Sequence, residues 1–323
     1  MLAAIYDRTG PARDVLRVEE VDAPRPGPGE VLVRVTVSGV NPTDYKSRSR
    51  GDVAFAFQVP NQDGAGVVEA VGSGVDPSRV GQRVWLWFAQ WRRQWGTAAQ
   101  YTVVPERQAV PLPDHASDDL GASLGIPALT AHRCLFADGP VEGRTVLVAG
   151  GAGAVGHAAI ELARRAGARV IATASTDDKA RLARAAGAHE TIDYRAADAP
   201  ERLRAAAPEG VDRVVELSLG RNLELDLAAA NANAAIVSYA NEAGGELAVP
   251  VRRLMTANIV LRFVLVYTMG DEAIRAAVDH VAAALAEGAL STLPLHRFTL
   301  EQAADAHDAV EAGAVGKVVI DLP

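Results

Sequence analysis

The sequence predicts an α/β protein in which a β-rich N-terminal domain precedes a doubly wound parallel sheet. Residues 1 to about 115 alternate short β-branched runs with Gly and Pro. From about residue 121, Ala-rich helical stretches alternate with compact apolar runs, and one such run enters a glycine-rich turn at 150–156. A chain of 323 residues, 49% hydrophobic and 22% charged, has the size of about two domains with cores of their own.

In the first part, the runs 31–37, 66–71 and 83–87 have strand length and composition. Pro24, Pro26 and Pro28, interleaved with Gly27 and Gly29, place a turn ahead of the first of them, because fixed φ and missing N–H groups forbid a helix there. In the second part, strands are expected at 145–149, 169–174, 190–193, 211–216, 235–239 and 259–266, each about the length of a strand buried on both faces. An amphipathic helix at 271–285, another at 299–312 and a last strand at 317–322 complete the chain. The expected domains are 1–120, 121–267 and a C-terminal segment, 268–323, that returns to the first.

Lys plus Arg minus Asp plus Glu is 32 − 40 = −8, which disfavours a nucleic-acid partner. A charge arrives at Asp7 before a signal-type apolar run develops, and no run approaches the ~20 residues that cross a bilayer, so neither a secretion signal nor a membrane span is expected. The single cysteine, Cys134, suits a reducing compartment, so the expected location is cytoplasmic. The seven histidines show no short ligand spacing, and no metal site is expected.

The run 145–149 leads into Gly150-Gly151-Ala152-Gly153-Ala154-Val155-Gly156 and then a helix. Such a turn lets backbone approach a pyrophosphate at a helix N-terminus, where free N–H groups and the dipole favour an anion. After the next strand, Thr173 and Ser175 stand where an NAD-binding site carries an acid, and Lys179 can reach a 2′-phosphate, which favours NADPH. The alternative makes Asp177 and Asp178 helix caps and Lys179 a solvated charge, and the aspartates leave NADH open.

With Ser38-Gly39-Val40-Asn41-Pro42-Thr43-Asp44, the segments Gly64 to Gly72 and Val80-Gly81-Gln82-Arg83-Val84, Gly96 to Tyr101, Ile126 to Ala131 and the glycine turn, nearly the whole chain resembles the zinc-free, zeta-crystallin-like quinone oxidoreductases of the medium-chain dehydrogenase/reductase superfamily. The resemblance implies a GroES-like catalytic domain, a Rossmann domain and a catalytic cleft between them. Zinc-dependent relatives carry a cysteine and a His-Glu pair where this chain has Asn41 and Gln62-Asp63. Without a Lewis acid the acceptor must already be electrophilic, as quinones and conjugated carbonyls are.

By the same resemblance Asn41 lines the cleft and donates to a substrate oxygen, against the alternative of an Asn-Pro turn bonding its own backbone. Tyr45 is the candidate phenol donor, although relatives carry the tyrosine one place later, at Lys46 here. Thr130 and Ser238-Tyr239-Ala240 correspond to nicotinamide-side positions, and Tyr194 to a tyrosine near the adenosine phosphate, with core packing as its alternative. His132 is a conceivable general acid or a plain helix-face histidine. Trp85 and Trp87 share one face of a strand beside Phe88, and Trp91 and Trp95 roof a pocket for planar rings, with a hydrophobic satellite cluster as the alternative.

The function expected is an NADPH-dependent, zinc-independent reductase of a quinone or enone. The alternatives are a 2-alkene or enoyl-thioester reductase and a non-catalytic NADPH-binding protein. By the same resemblance the apolar strand 259–266, at the expected sheet edge, pairs across a dimer axis, so a homodimer is expected.

Overall fold

A computed structural model describes residues 1–241 and 245–323, which form two compact units, 1–126 with 292–323 and 127–291. In chain order the strands are β1 (Leu2–Ile5), β2 (Arg17–Glu20), β3 (Glu30–Val40), β4 (Asp63–Val71), β5 (Arg83–Leu86), β6 (Tyr101–Pro105) and β7 (Ala109–Pro111) in the first unit. The second unit holds β8 (Thr145–Val148), β9 (Arg169–Ala174), β10 (Glu190–Asp193), β11 (Val211–Glu216), β12 (Ala230–Ser238) and β13 (Val260–Phe263). The chain then returns to the first unit with β14 (Leu295–Thr299) and β15 (Lys317–Asp321).

In the first unit, β1 and β2 form a hairpin beside a seven-stranded sheet of order β14-β15-β3-β4-β5-β7, with β6 also paired to β3. Strand β3 buries Val31, Val33, Val35 and Val37 at the two-residue period of a pleated strand. Val31 and Val33 pack with Val68, Val84, Leu86 and Val104 in one core cluster. Strand β15 runs antiparallel to β3, with Val319 opposite Gly39. Gly39 permits a close approach there, since a Cβ would lie 1.9 Å from the Ala122 carbonyl oxygen.

The second unit is a six-stranded parallel sheet of order β10-β9-β8-β11-β12-β13. Its order reverses between β8 and β11, the crevice at which doubly wound sheets bind nucleotides. Leu147, Ile171, Ile192, Leu203, Val214 and Ile236 form a continuous core from strands and helices.

Several expected boundaries move. Strand β12 begins at Ala230 rather than 235, through an irregular register in which Asn233 adopts φ 65. Strand β13 covers only Val260–Phe263, because a 3-10 turn follows at Val266–Thr268. The helix Asp271–Ala286 buries Ile274, Ala277 and Val281, packs on the helix Ala154–Arg165 and is tied to it by Arg165–Glu287 at 2.6 Å. The second unit therefore extends to residue 291, and only 292–323 joins the first unit. The expected helix at 299–312 starts with a 3-10 turn, Leu300–Gln302, and becomes helical at Ala303–Glu311. Among the described residues no helix is long and apolar enough to cross a membrane.

Candidate active site

In the first unit, β3 ends at a buried polar cluster. Asn41 precedes the helix Pro42–Arg50, and its N–H donates to Asp44 Oδ2 at 2.7 Å, closing the first helical turn. Its side-chain Nδ2 donates to Asp63 Oδ2 at 2.7 Å, while its Oδ1 accepts from Lys317 Nζ at 2.8 Å. Lys317 Nζ lies 3.9 Å from Asp63 Oδ2, and Asp63 Oδ1 accepts from the Ile126 N–H at 2.8 Å. Asn41, Asp44, Asp63 and Lys317 are each at most 2% exposed.

Burial governs the protonation of this cluster. Asp44 is pushed up to about 8 by desolvation and then by the neighbouring Asp63 charge. Asp63 is pushed up to about 6 by burial, with Lys317 and the Asn41 hydrogen bond holding it back. The same burial lowers Lys317, against the pull of both carboxylates. Burial thus favours the protonated form of Asp44, while Lys317 stands closest to Asp63 as its partner.

The Asn41 amide is engaged by charged side chains, with one Nδ2 hydrogen given to Asp63, and Asn41 also forms a capping box with Asp44 at the start of the helix. Gln62 donates to Gln90 Oε1 at 2.6 Å. Tyr45 is half-buried on the helix Pro42–Arg50, with Lys46 Nζ 5.9 Å from its ring centroid. Trp85 and Trp87 are buried, Trp87 stands edge-on to Phe88, and Trp95 packs edge-on against Phe57. Trp95 packs, partly buried, against a hydrophobic core cluster that includes Ile5 and Leu300. Trp91 lies beneath the exposed Arg92.

In the second unit, Gly150 takes φ +67 and Gly153 is the N-cap of the helix Ala154–Arg165. A Cβ on Gly156 would sit 2.3 Å from the Gly150 carbonyl oxygen, and one on Gly151 would sit 2.8 Å from the Ala172 Cβ. No side chain caps the helix, so its first-turn N–H groups are left for an anion beside the exposed Gly153. Ala152 is buried and Ala154 and Val155 half-buried, so the cradle presents backbone. These residues fit the pyrophosphate of a dinucleotide. Thr173 braces the turn: its hydroxyl accepts from the Gly150 N–H and its carbonyl from the Gly151 N–H, both at 3.1 Å. Thr173 thereby shapes the loop expected to hold the cofactor.

Beyond β9, Thr176 is the helix cap, its hydroxyl accepting from the Lys179 N–H at 3.3 Å, so neither Asp177 nor Asp178 has that role. Asp178 pairs with Arg181. Ser175 and Lys179 are half-buried, and the Arg195 guanidinium reaches the Ser175 carbonyl at 3.5 Å. Tyr194 is 41% exposed beneath Arg195, which overturns core packing as its role. Arg195 was missed because only the β9–β10 pairing brings it beside Ser175.

Thr130 is buried on the helix Gly125–Phe136. Ser238 Oγ donates to the Ala240 carbonyl at 2.9 Å and the Tyr239 N–H to the Glu216 carbonyl at 3.0 Å, so Ser238-Tyr239-Ala240 forms an anchored turn after β12. With Leu219, Phe263 and Leu265 this turn lines a pocket of about 600 Å³. Beneath it Glu216 and Asp226 are buried together, and burial raises both carboxyls. His132 meets His280 at 3.0 Å, a contact hidden by their sequence separation, and desolvation lowers His132 to about 4. It is neutral at physiological pH, which removes it as a cationic general acid. Among the described residues no three His, Cys, Asp or Glu side chains form a metal-ligand group.

A model of the alcohol dehydrogenase GroES-like domain matches residues 27–114, and one of the zinc-binding dehydrogenase domain matches 154–283. The quinone oxidoreductase of Rattus norvegicus is 28% identical over 98% of this chain and 96% of its own. A mycobacterial quinone oxidoreductase structure is 31% identical with a TM-score of 0.86, covering 99% of both chains. A mycobacterial protein complexed with NADPH is 30% identical, TM-score 0.85, over 99% of both chains, and an NAD-dependent alcohol dehydrogenase is 29% identical, TM-score 0.91, over 100% of both. This chain belongs to the zinc-free quinone oxidoreductases of the medium-chain dehydrogenase/reductase superfamily, nicotinamide-dependent enzymes with a small-molecule substrate.

Proposed function

We propose that the protein is an NADPH-dependent, zinc-independent reductase that transfers hydride to a quinone or a similarly conjugated carbonyl. The observation that carries this reading is the chemistry at the positions of the zinc ligands in zinc-dependent relatives. There the Asn41 amide and the Asp63 carboxylate are engaged with each other and with the Lys317 ammonium, 2.8 Å from Asn41. A resident ammonium repels a divalent cation, and an amide is a poor ligand for zinc.

The bound nicotinamide supplies the hydride. An acceptor already electrophilic needs from the protein only orientation, exclusion of water and donors for the oxygen that gains charge. Asn41 and Tyr45 are the donors we assign, and water suffices to protonate the hydroquinone anion that hydride transfer leaves. Gly150, Gly151, Ala152, Gly153, Ala154, Val155 and Gly156 take the pyrophosphate. Thr130 and Ser238-Tyr239-Ala240 take the nicotinamide side, and Ser175, Lys179 and Tyr194 take the adenosine phosphate. The cations Lys179 and Arg195 near Ser175 support a 2′-phosphate and therefore NADPH. Exposed Val260, Phe263 and Leu265 on and beside edge strand β13 support a homodimer, and the free thiol of Cys134 supports a cytoplasmic location.

Oxidation of NADPH, with NADH in parallel, against a quinone, a 2-alkenal, an enoyl thioester and a saturated aldehyde tests the reading. Quinone turnover with NADPH preferred is expected. Turnover of the enoyl thioester alone would make the protein an enoyl reductase, and tight NADPH binding without any turnover would make it non-catalytic.

A further inference from the structure

The Asn41 side chain is held from both ends. Lys317 Nζ donates to its Oδ1 at 2.8 Å, and Asp63 Oδ2 accepts from its Nδ2 at 2.7 Å. An unconstrained amide interchanges its oxygen and nitrogen by a half-turn about its last torsion. Here the flipped state would set Nδ2 against an ammonium, which has no acceptor, and Oδ1 against a carboxylate, which has no donor. Two opposite charges therefore fix one orientation, and in that orientation the second Nδ2 hydrogen is used by neither contact.

Lys317 is built into place. It opens β15, whose following residues Val318, Val319 and Ile320 are buried and apolar, and it is itself 2% exposed. Its stem passes over Gly39 of β3, where a Cβ would stand 3.2 Å from Lys317 Cε. A side chain at residue 39 would crowd the Lys317 stem just short of the ammonium. The charged groups facing it are Asp63 and Asp44, and the Asp63 carboxylate makes the closer approach at 3.9 Å.

We propose that Lys317 is a positioning residue for the reduction, its buried ammonium locking the Asn41 amide so that one Nδ2 hydrogen stays on Asp63 and the other is presented to the acceptor oxygen. The catalytic part of this statement rests on the function proposed above; the locking of the amide does not. Lys317 acts only through Asn41, so its contribution vanishes when the amide is absent.

Two readouts test it on the full-length protein. In steady-state kinetics with NADPH and a quinone, Lys317→Met is expected to lower kcat about tenfold or more, as loss of an aligned donor does, with NADPH affinity held within about twofold. In an Asn41→Ala background the same substitution is expected to cost nothing further. A loss that multiplies in the double variant, or an unchanged kcat in Lys317→Met, overturns the proposal. The second readout needs no turnover. The Asn41 side-chain NH2 signals, assigned by their loss in Asn41→Ala, should be slow to exchange with solvent in the parent protein and fast in Lys317→Met. Unchanged signals overturn the locking itself. If the parent protein turns over no quinone, the functional reading fails while the exchange measurement still decides the role of Lys317. Should Lys317→Met fail to fold, Lys317→Leu removes both charge and donor and gives the same two readouts.

Discussion

Asn41 combines two tasks, starting a helix with its backbone N–H and placing its amide between an ammonium and a carboxylate. If its free Nδ2 hydrogen meets the acceptor oxygen, Asn41→Ala removes a donor to developing charge, and kcat is expected to fall about 100-fold in quinone-dependent NADPH oxidation. The buried acids beside it carry a pH signature. Asp44, raised to about 8, and Asp63, raised to about 6, both take up protons on folding. Their contribution to stability is complete below the usual carboxylate range and declines as pH rises through about 6 and then about 8. Denaturant unfolding at a series of pH values should show that decline, and Asp44→Asn should flatten its upper part; an unchanged slope would contradict a protonated Asp44. Asn41 was legible because its neighbours in sequence carry the family pattern. Lys317 was not, because its partner lies 276 residues away and nothing local marks a lysine at the head of an apolar strand.

The turn between β8 and the helix Ala154–Arg165 was the most legible element, since strand, glycines and helix are contiguous and each glycine answers a local steric demand. Gly156→Ala would drive a methyl to 2.3 Å from the Gly150 carbonyl. The turn must open, and NADPH binding measured by fluorescence titration is expected to be lost. Thr173→Val leaves the Gly150 N–H without its acceptor, so a stability loss of about 1–3 kcal/mol is expected in denaturant unfolding. Where the adenosine end is concerned, Lys179→Ala should raise the KM for NADPH about tenfold or more and leave NADH unaffected, because only NADPH presents a phosphate to the ammonium. The β1–β2 hairpin was invisible to the sequence reading: each strand has four residues, and β2 buries almost nothing. The helix Asp271–Ala286 was legible as a helix, but its unit was not, because an apolar face does not state which surface will cover it.

For the whole molecule, the parallel sheet leaves β13 as an edge on which Val260 is 41% and Phe263 71% exposed. An uncovered apolar edge is an aggregation liability, and pairing with the same edge of a second copy removes it. Phe263→Arg is therefore expected to shift the mass measured by light scattering from dimer to monomer, and a parent protein that is already monomeric at all concentrations would contradict the dimer. The two-unit organisation followed from the change of texture along the sequence, whereas the positions of the crossings, near 126 and 291, are set by helix packing that composition does not record. The most direct test of metal-independent hydride transfer uses protein treated with a strong chelator and NADPH deuterated at the transferred position of C4, with a quinone as acceptor. Undiminished turnover after chelation, slowed by the deuterium, is the predicted result; turnover that disappears with the chelator and returns with zinc would contradict it.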